Sequence, residues 1–350
     1  MLLNALQLQN FRNLQEKNLI FNPNITIIVG PNGAGKTNIL EAIYLLSSGK
    51  SFRADLEREM VRVRSDFARV KGKIDIYKEK LELEVLLAAE KDENIGISKK
   101  LLVNGVSRQL HNFAGSFKAV AFGPSDLELV THTPGRRRKF LDSVISQVDR
   151  EYRRSLLSYE KGLRQRNRIL EQIREGEATR SQLLFWDKLV IKNGNYLSNA
   201  RRNFIDFANE TGPLGEELFS VEYDSSGISE ERLAHYAREE VQAGATLVGP
   251  HRDDIVFRKH ETETIRSLTT YGSRGEQRMS VLWLKLAELA FIEKETEQSP
   301  VLLLDDIFSE LDPQHHEIVL GVVMGKQAIT TTADPNFAER WHGEAQIVEL

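Results

Sequence analysis

The chain has 350 residues, 28% of them charged and 41% hydrophobic, and a formal net charge of −4. That balance suits a folded globular protein of one to three domains and excludes a chain-wide basic surface, so any nucleic-acid contact must be local. No cysteine is present, which excludes disulfides, cysteine-rich zinc sites and thiol catalysis.

The first residues, MLLNALQLQNFRN, alternate polar and apolar side chains and lack the apolar core of a signal peptide. Nowhere does the chain reach the ~18 consecutive apolar residues of a spanning helix, so a cytoplasmic protein without a membrane partner is expected. LNALQLQNF alternates like a strand, and NITIIVG is a short buried strand rich in β-branched residues. ARVKGKIDIY, KLELEVLLA and KKLLVNGVSR continue the alternation, and Asn104-Gly105 between apolar residues predicts a two-residue hairpin. An antiparallel sheet over residues 51–125 follows, with a soft loop at KDENIGISKK (91–100). Pro134-Gly135 marks a boundary, and a long, highly charged helical pattern runs from Arg136 to about Asn209. GPLGEE and YDSSG read as loops, and a strand returns near DDIVF. A helix is expected from Arg274 to about Glu297, then the buried strand VLLLDD, helix HHEIVLGVVM, strand QAITTT and strand AQIVEL. An α/β unit is therefore split by a helical insertion.

Residues 30–37, GPNGAGKT, match the phosphate-loop pattern at every fixed position and sit between a strand and a helix pattern, the context the motif needs. Gly30, Gly33 and Gly35 let the backbone fold around an anion; Asn32 and Ala34 complete the loop. The helix that follows adds its N-terminal dipole. Lys36 is expected at the β- and γ-phosphates of ATP, and the Thr37 hydroxyl at Mg2+. VLLLDD ends a buried parallel-type strand in two acids, where carboxylates face a ligand crevice. Asp305 is then the second Mg2+ ligand, and Asp306 the group that polarises the attacking water. At 309–312, SELD also reads locally as a cap for the next helix, with Pro313 at its first position.

Residues 270–280, TYGSRGEQRMS, combine the turn-like Gly272 with Ser273 and Glu276 three apart, before an apolar helix pattern. That is a capping box, in which Ser273 accepts from the amide of residue 276 and Glu276 reaches back. A helix N-terminus is also an anion site, so Ser273 has two assignments. From Pro134 to Arg174 there are 12 Lys/Arg against 5 Asp/Glu, a local net charge of +7. Tyr152, Leu156, Tyr159, Leu163 and Leu170 recur at helical spacing, and Arg150, Arg154, Lys161, Arg164 and Arg168 recur about opposite them. Such a stripe is either a solvated face or a surface that attracts DNA phosphates without reading bases. Arg136, Arg137 and Arg138 either contact DNA or couple the insertion to the rest of the chain.

The order of phosphate loop, SRGEQ, LLLDD, SELD and terminal TTAD resembles the ATP-binding-cassette ATPases. NFRNL (10–14), GKTNILEAIYLL (35–46), SFR (51–53), GRRRKFLD (135–142), LRQRN (163–167) and GPHRDD (249–254) closely resemble the RecF family of bacterial recombination mediators, over essentially the whole chain. The resemblance implies an α/β fold, an ABC-type P-loop ATPase head of mixed sheet plus antiparallel β subdomain with an inserted helical lobe. Its parts would be 1–130, 131–240 and 241–350. It implies head-to-tail dimers holding each ATP between one subunit's phosphate loop and the other's signature helix. By position, Ser273, Gly275 and Gln277 match the signature, Ser309 and Asp312 the loop crossing the dimer seam, and Arg12 joins the nucleotide-binding residues. Thr331 or Thr332 takes the place of the γ-phosphate sensor. Asp306 stands where the family's general base is usually Glu, which fits a slow hydrolytic switch. Glu276 stands where Gln is frequent, placing a negative charge near the phosphate. GPHRDD is a family hallmark, and His251 and Arg252 are expected to brace the signature loop.

Implied partners are double-stranded DNA or a single-strand/double-strand junction, a second copy of the chain when ATP is bound, and mediator proteins of the same pathway. The nearest alternative is another SMC- or Rad50-like DNA-repair ATPase head. A zinc-hooked, coiled-coil nuclease partner conflicts with the missing cysteines and the short insertion, a transporter motor with the soluble motifs, and a P-loop kinase with the signature.

Overall fold

The computed structural model describes residues 1–77, 79–89, 96–262, 264–310, 313–339, 341 and 344–350. The chain divides into two units, one of Met1–Asp126 with Ile292–Leu350, the other of Leu127–Phe291. The first unit begins with strands β1 (Leu2–Phe11), β2 (Leu14–Ile20) and β3 (Ile25–Val29), then helix α1 (Lys36–Ser48). Strands β4 (Phe67–Ile76), β5 (Glu79–Ala89), β6 (Ile97–Val103), β7 (Val106–Arg108) and β8 (Ala119–Phe122) follow. The alternating segments assemble as one antiparallel sheet of order β2-β1-β4-β5-β6-β7. Asn104 and Gly105 both take positive φ at the β6–β7 hairpin, where Val103 pairs with Val106, as an Asn-Gly turn requires. Of the expected soft loop at 91–100, residues 91–95 lie outside the described residues, while Ile97–Lys100 are strand: the alternating SKKLLV pairs with β5.

The second unit carries helices α2 (Pro134–Val148), α3 (Arg150–Arg174) and α4 (Leu184–Glu210), strands β9 (Leu218–Asp224), β10 (Asp254–His260) and β11 (Ile265–Ser267), and most of helix α5 (Arg274–Thr296), whose residues from Ile292 on belong to the first unit. It is not purely helical, because β11-β10-β9 form a small antiparallel sheet. Strand β9 begins just after GPLGEE, and its Tyr223-Asp224 end overlaps the expected loop YDSSG; its pairing partner β10 lies some thirty residues away in sequence. The segment 241–291 belongs to this unit. Asp149 caps α3 by accepting from the Tyr152 amide at 2.9 Å.

The chain returns to the first unit with β12 (Val301–Asp305), helix α6 (Pro313–Val323), β13 (Ala328–Thr332) and β14 (Gln346–Glu349). These join β3 and β8 in a sheet of order β14-β3-β13-β12-β8, parallel at every pairing. Every residue of β3 and β13 is buried, as in strands covered on both faces, although β3 includes Thr26 and β13 ends in Thr330, Thr331 and Thr332. Helix α1 supplies Ile39, Leu40, Ile43, Leu45 and Leu46 to the same core as β1, β4 and β5. Each such side chain stabilises the fold by about 1.5–3 kcal/mol through burial. Gly72 of β4 admits the close approach of Leu46, because a Cβ there would stand 2.5 Å from Leu46 Cδ1. Gln327 links the two sheets, accepting from the Leu3 amide at 2.7 Å and donating to the Leu3 carbonyl at 2.8 Å. The parallel sheet thus sets the C-terminal ends of β3, β8, β12 and β13 side by side. No described helix is long and apolar enough to cross a membrane.

Candidate functional site

The phosphate loop leaves β3 and enters α1 at Gly35. Gly33 and Gly35 have φ of 84° and 106°, conformations that L side chains rarely adopt. A Cβ on Gly35 would also stand 2.8 Å from Asn13 Oδ1 and Leu14 Cδ2. Asn13 pins the loop, donating to the Gly33 carbonyl and accepting from Asn38, each at 2.8 Å. It sits in the NFRNL segment, but its bracing role carries no local signal. No side chain caps α1 and its first turn holds no acid, so its leading amides face the loop without a competing carboxylate. Lys36 is nearly buried, and its Nζ donates to the Gly30 and Pro31 carbonyls at 2.7 and 3.1 Å.

At the end of β12, the Thr37 hydroxyl lies 2.9 Å from both carboxylate oxygens of Asp305. Thr331, on the neighbouring β13, donates to Asp305 Oδ1 at 2.8 Å and accepts from the Asp306 amide at 3.0 Å. Of the two candidate sensors, Thr331 therefore touches the acidic pair, while Thr332 accepts from the Asp334 amide. Asp306 takes a φ of 50°, unusual for a non-glycine and typical of strained functional turns. Gly123, at the end of β8, is a site residue with no sequence signal: a Cβ there would stand 2.9 Å from Asp305 Cβ. Hydroxyl and carboxylate oxygens are the donor set that suits Mg2+. Among the described residues no cluster of three His, Asp or Glu could hold a metal by itself.

Arg12, expected at the nucleotide, is tied by a two-pronged ion pair to the buried Glu41, at 2.9 and 2.6 Å, and donates to the Glu59 carbonyl at 2.8 Å. Leu311 and Asp312 of SELD lie outside the described residues, as does the side chain of Ser309.

In the second unit, Ser273 and Glu276 form the predicted capping box. The Ser273 amide donates to Glu276 at 2.8 Å and the Glu276 amide to Ser273 Oγ at 3.3 Å. The charge on Glu276 is balanced by Lys259 at 3.0 Å and by Arg266. Burial pushes the Glu276 carboxyl up, but hydrogen bonds from Arg266, the Ser273 amide and Lys259 outweigh it and hold it to about 2. Gly275 is exposed, whereas Gln277 is buried with its amide donating to the Leu268 carbonyl at 2.9 Å.

GPHRDD has a structural role in this unit. Asp253 is fully buried and accepts from Arg201 at 2.9 Å, from the Ser226 amide at 2.8 Å and from Tyr223. Asp254 takes a two-pronged contact from Arg137 at 2.6 and 2.9 Å. His251 and Arg252 turn to Thr246, and His251 also to Tyr159 at 2.7 Å, rather than to the signature loop. Burial lowers the His251 pKa to about 4, against the upward pull of the Thr246 carbonyl. Its unfolded value is about 6.5, so the unfolded chain takes up the extra proton between those values. Stability is expected to fall as pH drops from about 6.5 toward 4, and denaturant midpoints of His251→Gln should lose that part of the slope.

Of the basic residues, Arg150, Arg154, Lys161, Arg164 and Arg168 are all exposed on one stripe of α3. Arg137 is not a DNA contact: it is buried and pairs with Asp254, far away in sequence. Arg138 donates to the Asp253 carbonyl at 2.8 Å, and Arg136 pairs with Glu128 at 3.1 Å. Arg166, of LRQRN, is likewise buried between Asp187 and Glu240.

A family model described as the RecF/RecN/SMC N terminal domain matches residues 2–347. The DNA replication and repair protein RecF of Thermomicrobium roseum is 35% identical over 97% of this chain and 95% of that protein. The RecF of Clostridioides difficile is 34% identical over 95% of this chain and 92% of its own length. A solved structure of the recombination mediator protein RecF with ATP, in the RecFOR pathway, matches at a TM-score of 0.84 and 31% identity, over 95% of this chain and 92% of that one.

Proposed function

This chain belongs to the RecF/RecN/SMC family, among DNA replication and repair proteins of the RecF type, and from that premise we propose that it is an ATP-driven, DNA-binding switch. The carrying observation is the meeting of Thr37, Asp305 and Thr331 beside a phosphate loop whose helix has no side-chain cap. ATP binds with its phosphates in the loop, where Lys36 exchanges its two carbonyl partners for phosphate oxygens. Thr37 and Asp305 would hold Mg2+, which supplies charge neutralisation at the phosphates. Asp306 accepts the proton of the attacking water. A carboxylate one methylene shorter than Glu fits slow hydrolysis to ADP and phosphate.

The exposed Gly275 and the Ser273 hydroxyl meet the γ-phosphate of ATP on a second copy. Ser273 then trades its capping bond for a phosphate contact, while Lys259 and Arg266 keep Glu276 from repelling the anion. ATP thus favours a closed dimer because it makes those contacts only there. Hydrolysis opens it and releases DNA, in support of recombinase loading at gaps together with mediator proteins of the same pathway.

The decisive measurement is molecular mass with and without ATP and duplex DNA, using Asp306→Asn to retain ATP. A doubled mass with ATP is expected; a monomer under every condition would sink the shared site. Ser273→Arg should weaken the ATP-dependent dimer at least tenfold, about 1.4 kcal/mol, while ATP affinity stays within twofold.

The basic stripe of α3 is the proposed duplex contact. Lys161, Arg164 and Arg168 are exposed along it at spacings of three and four. Replacing all three by Ser should lower duplex affinity and flatten the slope of log affinity against log salt by about 2.7, three phosphates at ~0.9 each. An unchanged salt slope would remove the stripe from the mechanism.

A further inference from the structure

The helical pair α3–α4 has a second exposed edge of different chemistry. Gly162 of α3 lies against Leu189 and Val190 of α4, Gly194 of α4 against Tyr159, and Arg201 Nε donates to Tyr152 at 3.1 Å. The buried stripes therefore face each other, and at 100° per residue the exposed stripes point away from one another. On α4 that outer stripe is Phe185, Lys188, Lys192, Asn195, Asn199 and Asn203, all exposed, and it ends at the exposed Asp206. From Lys188 to Ile205 the helix contains no Asp or Glu. Lys188 and Lys192 have no ion-pair partner among the described residues. Phe185 is 65% exposed, an uncommon state for a phenyl ring, with Trp186 edge-on at 5.0 Å.

We propose that this edge of α4 is a binding site for single-stranded DNA, separate from the duplex contact on α3. The chemistry separates the two. The α3 stripe offers cations and one exposed leucine, Leu157, suited to phosphates alone. The α4 stripe adds three side-chain amides and an open aromatic ring. Amides bond to base edges and rings stack on base faces, and an unpaired strand presents both freely. Phe185 to Asn203 spans roughly 27 Å at 1.5 Å per residue, long enough to track several nucleotides. Two helices side by side put the edges roughly 20 Å apart, so one phosphate run cannot engage both. Together they would let one helical pair hold both arms of a single-strand/double-strand junction. This rests on the reading of the chain as a DNA-binding switch.

The test compares binding of the full-length protein, with ATP, to oligo-dT and to a blunt duplex of the same length. In Phe185→Ala/Lys188→Ser/Lys192→Ser, oligo-dT affinity should fall at least tenfold and its salt slope by about 1.4, two phosphates at ~0.7 each. Duplex affinity should stay within twofold. The triple Ser variant of α3 should show the reverse pattern. Unchanged oligo-dT binding in the α4 variant overturns the proposal and leaves Phe185 to a protein contact. Equal losses on both DNAs overturn it as a specific site. A wild-type protein that binds duplex but no oligo-dT overturns this proposal alone; one that binds neither removes the DNA-switch reading as well.

Discussion

Lys36→Met should reduce ATP affinity at least 100-fold while leaving the folded protein intact. The Lys36 ammonium is nearly buried and already donates to two loop carbonyls at 2.7 and 3.1 Å, so it is held at the mouth of the loop. On triphosphate binding it exchanges these neutral acceptors for charged ones. Charge-assisted bonds contribute about 1.5–3 kcal/mol each, so losing two outweighs the roughly 2.7 kcal/mol that 100-fold represents. Methionine keeps the length and apolar body of the side chain, and the Gly30 and Pro31 carbonyls can turn to water. A melting temperature within ~2 °C of wild type, beside lost binding of a fluorescent ATP analogue, is the expected pair of results. Retained affinity would mean that the backbone amides of the loop and α1 hold the anion unaided.

The loop, the acidic strand end and the capping box were legible because each is a short-range pattern with a local cause. Gly33 and Gly35 stand where φ must be positive, and Val301–Leu304 is apolar on both faces because a parallel strand is covered on both. Ser273 and Glu276 are three residues apart, and three residues is the reach of the box. What stayed hidden depends on distant partners. The charge of Glu276 looked costly beside a phosphate, yet Lys259 and Arg266 come to it from β10 and β11. Nothing near residue 276 announces them.

Cations gave the same difficulty with the opposite outcome. Counted along the chain, Arg137 and Arg166 belong to one basic stretch with Arg164 and Arg168. In the fold, Arg137 and Arg166 are buried against Asp254, Asp187 and Glu240, while Arg164 and Arg168 are exposed. Helical spacing does separate them, because Arg166 falls on the stripe of Tyr152, Tyr159 and Leu170. An arginine on an apolar stripe is a sequence-level sign of a buried ion pair, since an unpaired buried charge is too costly to keep. Gly123 and Asn13, by contrast, matter only through where the sheet ends place them.

Asp253→Ala is expected to cost the second unit about 3–5 kcal/mol, the penalty for removing one partner of a buried ion pair. Asp253 is fully buried and its partner Arg201 nearly so, with side-chain exposures of 0% and 3%. Arg201 would keep Asp142 at 2.8 Å and the Pro250 carbonyl at 2.7 Å but lose the inner carboxylate. Tyr223 and the Ser226 amide would lose their acceptor together, since an Ala side chain offers none. For a unit of this size the melting temperature should fall by ~10 °C. Asp253→Asn keeps an acceptor for Tyr223 and the amide, so it should recover a large part of that loss. Equal losses in the two variants would show that the charge itself, rather than the hydrogen-bond geometry, holds GPHRDD in place. Because Asp253 is remote in role from the phosphate loop, the ATP affinity of the folded fraction should remain near wild type, which separates a structural hallmark from a nucleotide contact.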